Sequence, residues 1–386
     1  MKNKQKKGDQ IISIAVMIQP MLVIIQIIMI AVFHMSADET TRYRVVLTAV
    51  PMVAAMAVAI TRNPTRFLFI YMIFIFLLSF TILLFPENIP YVQSQGLRFL
   101  LPVVIPSFIC LSVVRDYYIV EKTIYVISWI VLFLIVVYVI GFFQGVVYVE
   151  YNMPISFACV LPFVSFYSHR RNYDMLISLF IFIVVLAIGS RGAALCMGLS
   201  VILDLFQYKS KWRFWLLIFV PVFFYMLPLI SSWLASIGIV SRTLTMYLQS
   251  NYYDSGRSSI RNHFINQLMD HPFTGIGFFG DRLWGDVAYC HNLILEIFLD
   301  FGVLVGCAIV MVGLVKLIIL YRKSSNENRN RILLYFCALV MPLMTSNSYL
   351  IDSGFAVFVG LCYLFSKKSS VQSIRENVSD VKRPCN

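Results

Sequence analysis

Charge is what this 386-residue chain has little of: 13% of its residues are charged and 60% are hydrophobic. Soluble domains carry about 25% charged residues, so a soluble globular protein is excluded. Alternation is missing as well. The apolar runs do not alternate in ten-residue segments, which argues against a membrane β-barrel. The eight cysteines have no paired spacing and form no CxxC or Cys/His pattern, so neither a disulfide framework nor a zinc site is indicated. Cys110, Cys196, Cys307, Cys337 and Cys362 fall inside apolar runs and read as small core residues. There is no GxxxxGK[ST] nucleotide loop and no HExxH helix. Asp281 and Asp286 lack DxD spacing, so no divalent metal and no other cofactor is expected. The basic start, Met1 to Lys7, leads into a long apolar run without a small-residue cleavage site, so no cleavable signal is expected.

Repeated apolar runs near the length of a bilayer span are what the chain does have, and mean hydropathy is +0.81. An all-α polytopic bundle of about twelve transmembrane helices is expected, since roughly 20 residues at 1.5 Å each cross the hydrocarbon core. Expected spans include Ile11–Phe33, Phe99–Val114, Phe214–Leu234, Phe301–Tyr321, Ile332–Met344 and Ser353–Phe365. The organisation that follows is a cytoplasmic start (1–10), transmembrane helices one to nine (11–234), a large extracytoplasmic loop (235–290), a re-entry helix with the last three spans (291–365), and a cytoplasmic tail (366–386).

The net charge of +12 does not point to nucleic acid, because Lys and Arg in a polytopic protein mostly set orientation. The basic loops put both termini in the cytoplasm. On the other side stand Arg42, Arg44, Arg98, Arg191, Arg242, Arg257, Arg261 and Arg282, with no Lys among them. Arg offers a planar fork of donors suited to phosphate, whereas Lys is a hydrated point charge. Arg42, Arg44, Arg98 and Arg242 read best as residues snorkelling near headgroups.

The segment 235–290 is too long for an ordinary connection and too aromatic for a disordered one. Within it Ile260, Phe264, Ile265 and Leu268 have helical spacing, which predicts an amphipathic helix over Ser258–Met269. Pro272 stops it, and Gly275, Gly277 and Gly280 supply permissive turns.

Candidate chemistry gathers around this loop. Arg191, in Gly189-Ser190-Arg191-Gly192 between two apolar runs, stands where a charge is costly and usually functional. The helix that follows it points its free N–H groups the same way, which makes an anion site plausible. Arg257 and Arg261 share one helix face, where two like charges call for an anion; Asp254 as a local partner is the alternative. His291 opens the return to the membrane. Asn292, Glu296 and Asp300 then recur every four residues, a polar stripe that should face a cavity or a partner.

These residues resemble a known family. Ser190-Arg191-Gly192-Ala193, Ser255-Gly256-Arg257, Pro272…Gly275-Ile-Gly277 and His291-Asn292…Leu295-Glu296…Gly302…Gly306 are together similar to the superfamily of O-antigen and capsule polymerases (Wzy-type) and O-antigen ligases. The resemblance implies a GT-C-type glycosyltransferase fold in the cytoplasmic membrane. It implies a metal-independent, inverting transfer at the outer face, acting on glycans carried by undecaprenyl pyrophosphate. A polymerase moves the growing chain onto a lipid-linked repeat unit; a ligase moves the finished chain to another acceptor. A flippase and a chain-length regulator would be its partners. The catalytic positions implied are His291, Arg191 and Arg257, with Arg261, Glu296, Asn292 and Tyr253 as substrate-binding candidates. The run His-Asn-Leu-Ile-Leu-Glu-Ile-Phe is closer to capsule and exopolysaccharide members, which favours a polymerase. A lipid-linked oligosaccharide flippase or exporter is the reading from another class; it would place charges at mid-membrane, whereas here they gather at the outer end.

Overall fold

The computed structural model describes residues 2–143, 153–188, 190–207, 257–283 and 289–381, with scattered positions between 222 and 236. Among these residues every regular element is a helix. Five helices are long and apolar enough to cross a membrane: α3 (Ala37–Arg62), α4 (Pro64–Leu84), α5 (Pro86–Ser112), Tyr117–Gly141 within α6 (Tyr117–Phe143), and α11 (Leu293–Lys323). A sixth span forms if α1 (Lys2–Met17) and α2 (Gln19–Phe33), whose axes bend by 45°, are one broken crossing. Pro20 at the start of α2 removes a backbone donor there, which accounts for the bend. Shorter apolar helices are α7 (Met153–His169), α8 (Asn172–Ile188) and the apolar part of α13 (Gly354–Val381). Between them lie α9 (Arg191–Gln207), α10 (Arg257–Asp270) and α12 (Asn326–Leu339).

The expectation of about twelve spans thus meets five or six long helices among the described residues. The expected ninth span has only scattered described positions, and the loop from 237 up to Gly256, with Tyr253, lies outside them. The expected span Ile332–Met344 is instead α12, ending at Leu339, and a 3-10 turn over Met341–Met344; Pro342 cannot continue the helical ladder. The expected span from Phe301 begins earlier, at Leu293, and is interrupted within.

That interruption positions everything around it. Gly302 in α11 has φ 76° and ψ 169°, a conformation open to glycine. The break frees a carbonyl at Leu299 and an amide at Val303. The loop after α10 takes both: Ile276 N–H donates to Leu299 O at 2.6 Å, and the Val303 N–H donates to Pro272 O at 2.7 Å. The approach is so close that a Cβ at Gly302 would collide with the Phe273 carbonyl, and one at Gly275 with the Leu299 carbonyl. Gly302→Ala should therefore lose at least about 1–3 kcal/mol to backbone strain alone. Thermal unfolding in detergent checks this, and an unchanged midpoint would refute the interlock.

The charged ends of the bundle differ. Near one end Arg62 pairs with Asp9 at 2.5 Å and donates to Val113 O, and Lys367 reaches Ser112 O. Crossing from Arg62 along α4 leads to Asn88 at the other end, where its Nδ2 donates to Ile276 O and Phe278 O at 2.9 and 3.2 Å. The glycine-rich loop is thereby held against the start of α5, and the polar residues of the loop and of α11 collect there.

Candidate functional site

Asn292 begins α11 as its N-cap, its Oδ1 accepting from the Ile294 and Leu295 N–H groups, both at 3.1 Å. This satisfies donors that a helix start leaves open. The residue before it, His291, must turn the chain into that cap, and it does so with φ 57°. Such left-handed backbone costs about 1–3 kcal/mol at a residue with a Cβ, and it is found most often where function holds it.

The His291 ring is half-buried. Its Nδ1 lies 3.2 Å from Ser346 O. A carbonyl only accepts, so Nδ1 carries the proton in this contact and Nε2 is left as the basic nitrogen. Burial pushes the His291 pKa below its ordinary 6.5, and the charges of Arg257 and Arg282 push the same way, against the Ser346 bond. Both effects favour the neutral imidazole.

Beneath His291 lies a buried polar network centred on Arg282, which is 2% exposed. Its guanidinium pairs with the Asp281 carboxylate and reaches Glu296 Oε1 at 3.4 Å. It also donates to Ser348 Oγ at 2.6 Å and to Gln95 Oε1 at 3.2 Å. The rings of Phe279 and Tyr289 lie 5.7 and 5.4 Å from its carbon. Asp281 Oδ2 in turn accepts from the Cys290 N–H at 2.9 Å, which fixes the strand of chain leading into His291. Burial raises the Asp281 pKa although Arg282 opposes it. Glu296 also accepts from the Ser348 hydroxyl and, at 3.3 Å, from the Tyr349 N–H, while Tyr349 donates its hydroxyl to Asp300. The stripe Glu296–Asp300 thus faces a partner, the segment 345–353 between the Met341–Met344 turn and α13.

That segment also links the two distant arginine-bearing helices. Ser190 caps α9, with Ala193 N–H donating to its Oγ at 3.4 Å. Gly192 lets the helix start come so close that an added Cβ would lie 3.1 Å from Thr345 Oγ1. Thr345 is next to Ser346, the residue His291 touches. Arg257 opens α10, which packs Phe264 and Leu268 on Leu295 and Leu299 of α11. The side chain of Arg257 is half-buried, near enough for its charge to depress His291.

Of the sequence candidates, Arg257 is near enough for its charge to act on His291, and the Arg191 helix start reaches Thr345, the neighbour of Ser346. Arg261 is exposed on α10. Asn292 uses its side-chain oxygen on the helix cap, and Glu296, 1% exposed, uses its own on Arg282, Ser348 and Tyr349. Tyr253 lies outside the described residues. Sequence reasoning missed Arg282 and the segment 345–353. The signal for the latter was its run of hydroxyl and amide side chains, Thr-Ser-Asn-Ser-Tyr, between two apolar stretches.

Apolar helices of spanning length define an integral membrane protein, and near one end of the bundle His291 lies within reach of the Arg257 and Arg282 charges. The comparison with known families agrees. A family model described as O-Antigen ligase matches residues 176–310, a region that holds Arg191, Arg257, Arg282, His291 and Gly302. This supports the O-antigen ligase and polymerase superfamily, hence a membrane enzyme acting on lipid-linked polysaccharide. No curated protein and no solved structure gives a match.

Proposed function

We propose that the protein is a polysaccharide polymerase of the cytoplasmic membrane. It would transfer a growing glycan from undecaprenyl pyrophosphate onto a lipid-linked repeat unit at the outer face. The observation that carries this reading is His291, its Nδ1 held on Ser346 O and its Nε2 left basic, within reach of the Arg257 charge and next to the segment reached by the Arg191 helix start. In the proposed step the acceptor hydroxyl oxygen attacks the anomeric carbon. The bond from that carbon to the pyrophosphate oxygen breaks, and its electron pair leaves with the lipid pyrophosphate. His291 Nε2 takes the hydroxyl proton. Arg191 and Arg257 meet the charge that develops on the leaving group, the role that fixed cations play in other transfers, so the reading needs no metal. Attack from the face opposite the leaving group inverts the anomeric centre.

Arg257→Lys keeps the charge but loses the planar fork. Chain extension should fall sharply while protein level stays normal. Full-length polymer from that variant would refute the phosphate-clamp role. The matching family is described as O-Antigen ligase, which favours a second reading, a ligase. The glycan of a deletion strain separates the two: single repeat units for a polymerase, long lipid-linked chains without acceptor for a ligase.

A further inference from the structure

The transfer proposed above joins two lipid-linked pyrophosphates and breaks only one of them. Arg191 and Arg257 account for the one that leaves. The other keeps its negative charge throughout and needs cations of its own.

A cavity of about 380 Å³ adjoins the site. Tyr289 lines it, and the Tyr289 ring lies 4.3 Å from that of His291. Asn347, next to Ser346, lines it too. So does Phe157, which would sit 2.9 Å from a Cβ at Gly192 and therefore backs onto the start of the Arg191 helix. The cavity is thus continuous with the walls of the candidate site.

Arg44 of α3 and Arg98 of α5 also line it. Arg44 is half-buried, donates to Gln26 Oε1 at 2.9 Å, and lies 5.8 Å from the centre of the Phe99 ring. Arg98 is exposed, so the half-buried Arg44 is the better enclosed of the two cations. The one acid in the lining, Asp352, is engaged in its own turn: Oδ2 accepts from Asn347 Nδ2 at 2.7 Å and Oδ1 from the Gly354 N–H at 2.6 Å. Two arginines against one carboxylate, whose charge acts on Arg44, leave a positive excess among the described lining residues. The remaining walls are largely aliphatic, with Val16, Val23 and Val45 from the first three helices. A pyrophosphate joined to a branched hydrocarbon chain fits both features.

We propose that this cavity is a second isoprenyl pyrophosphate site, which holds the acceptor's pyrophosphate at Arg44 and Arg98 while its sugar faces His291. The assignment rests on the transferase reading and adds residues to it.

Calorimetric titration of the detergent-solubilised full chain with farnesyl pyrophosphate tests it, with inorganic pyrophosphate and farnesol as separate arms. The wild type should bind two equivalents, and R44Q/R98Q one. R191Q/R257Q should also bind one, the one that R44Q/R98Q loses. Val45→Phe, which fills the cavity and keeps both arginines, should bind one as well, so the result does not depend on a charge change. Inorganic pyrophosphate should bind at least tenfold more weakly than farnesyl pyrophosphate, and farnesol should not saturate either site. Variants are compared at matched size-exclusion profiles. Two equivalents in both R44Q/R98Q and Val45→Phe overturn the cavity assignment and leave the transferase reading intact. A single wild-type site lost in R191Q/R257Q does the same. A single site lost only in R44Q/R98Q supports the cavity and removes the Arg191–Arg257 clamp. Inorganic pyrophosphate binding as tightly as farnesyl pyrophosphate identifies a free-phosphate site and overturns the lipid assignment.

Discussion

His291→Asn should lower glycan transfer by about 10²–10⁴-fold, the range for losing a general base, while leaving the protein folded. Asn is the informative replacement because of the backbone. At φ 57° a β-branched residue would be strained, and Asn is among the few side chains that tolerate the left-handed region. An inactive but stable variant then reports on the imidazole and not on the turn. The wild-type pH profile supplies a second reading. Burial and the neighbouring Arg257 and Arg282 charges push the His291 pKa below 6.5. The neutral base should persist through neutrality, and activity should fall only as pH drops through a value below 6.5. An acid limb above 6.5, or one unchanged in the variant, would contradict the assignment. Arg257→Gln removes one depressing charge, so the limb of its residual activity should move to higher pH. A purely structural effect of Arg257 would not move it.

Much of this site follows from local sequence. The helix Arg257–Asp270 is legible because Ile260, Phe264 and Leu268 repeat at helical spacing, and it buries Phe264 and Leu268 on α11. The Glu296–Asp300 stripe is legible because four-residue spacing on an apolar helix demands a partner. What local pattern does not carry is the partner's identity. Ser348 lies 52 positions from Glu296, and no period connects them. Asn292 shows how one residue can carry two readings: its polarity suggests a ligand contact, and its position before Leu-Ile-Leu-Glu is also that of an N-cap, which its side-chain oxygen forms. The π-helical stretch Val92–Val104, which contains Pro102 and carries Gln95 to Arg282, had no sequence signature either. Its apolar run reads like any other span, and wider turns of this kind are frequent at functional sites.

Arg282 was read from sequence only as one of several outer arginines, yet its replacement should have the largest effect on stability. In Arg282→Met the Asp281 and Glu296 carboxylates stay buried, each 1% exposed, and lose their only cation among the described contacts. Removing one partner of a buried ion pair costs about 3–5 kcal/mol, because the remaining charge is uncompensated. Ser348 and Gln95 lose a donor at the same time. The variant should unfold at markedly lower temperature in detergent, and Glu296→Gln placed in the same chain should recover part of the loss by removing one orphaned charge. A wild-type midpoint for Arg282→Met would contradict the network. Arg282→Lys separates stability from positioning. Its single ammonium restores the charge, so most of the stability should return, but it cannot span Gln95, Asp281, Glu296 and Ser348 together as the guanidinium does. Asp281 holds the Cys290 N–H, and Ser348 stands two residues from the Ser346 carbonyl that orients the imidazole. Slack at Arg282 should therefore reach His291 from both sides. Arg282→Lys is expected to keep its fold, lose transfer rate and shift the acid limb of the pH profile, a combination that a residue serving stability alone would not produce.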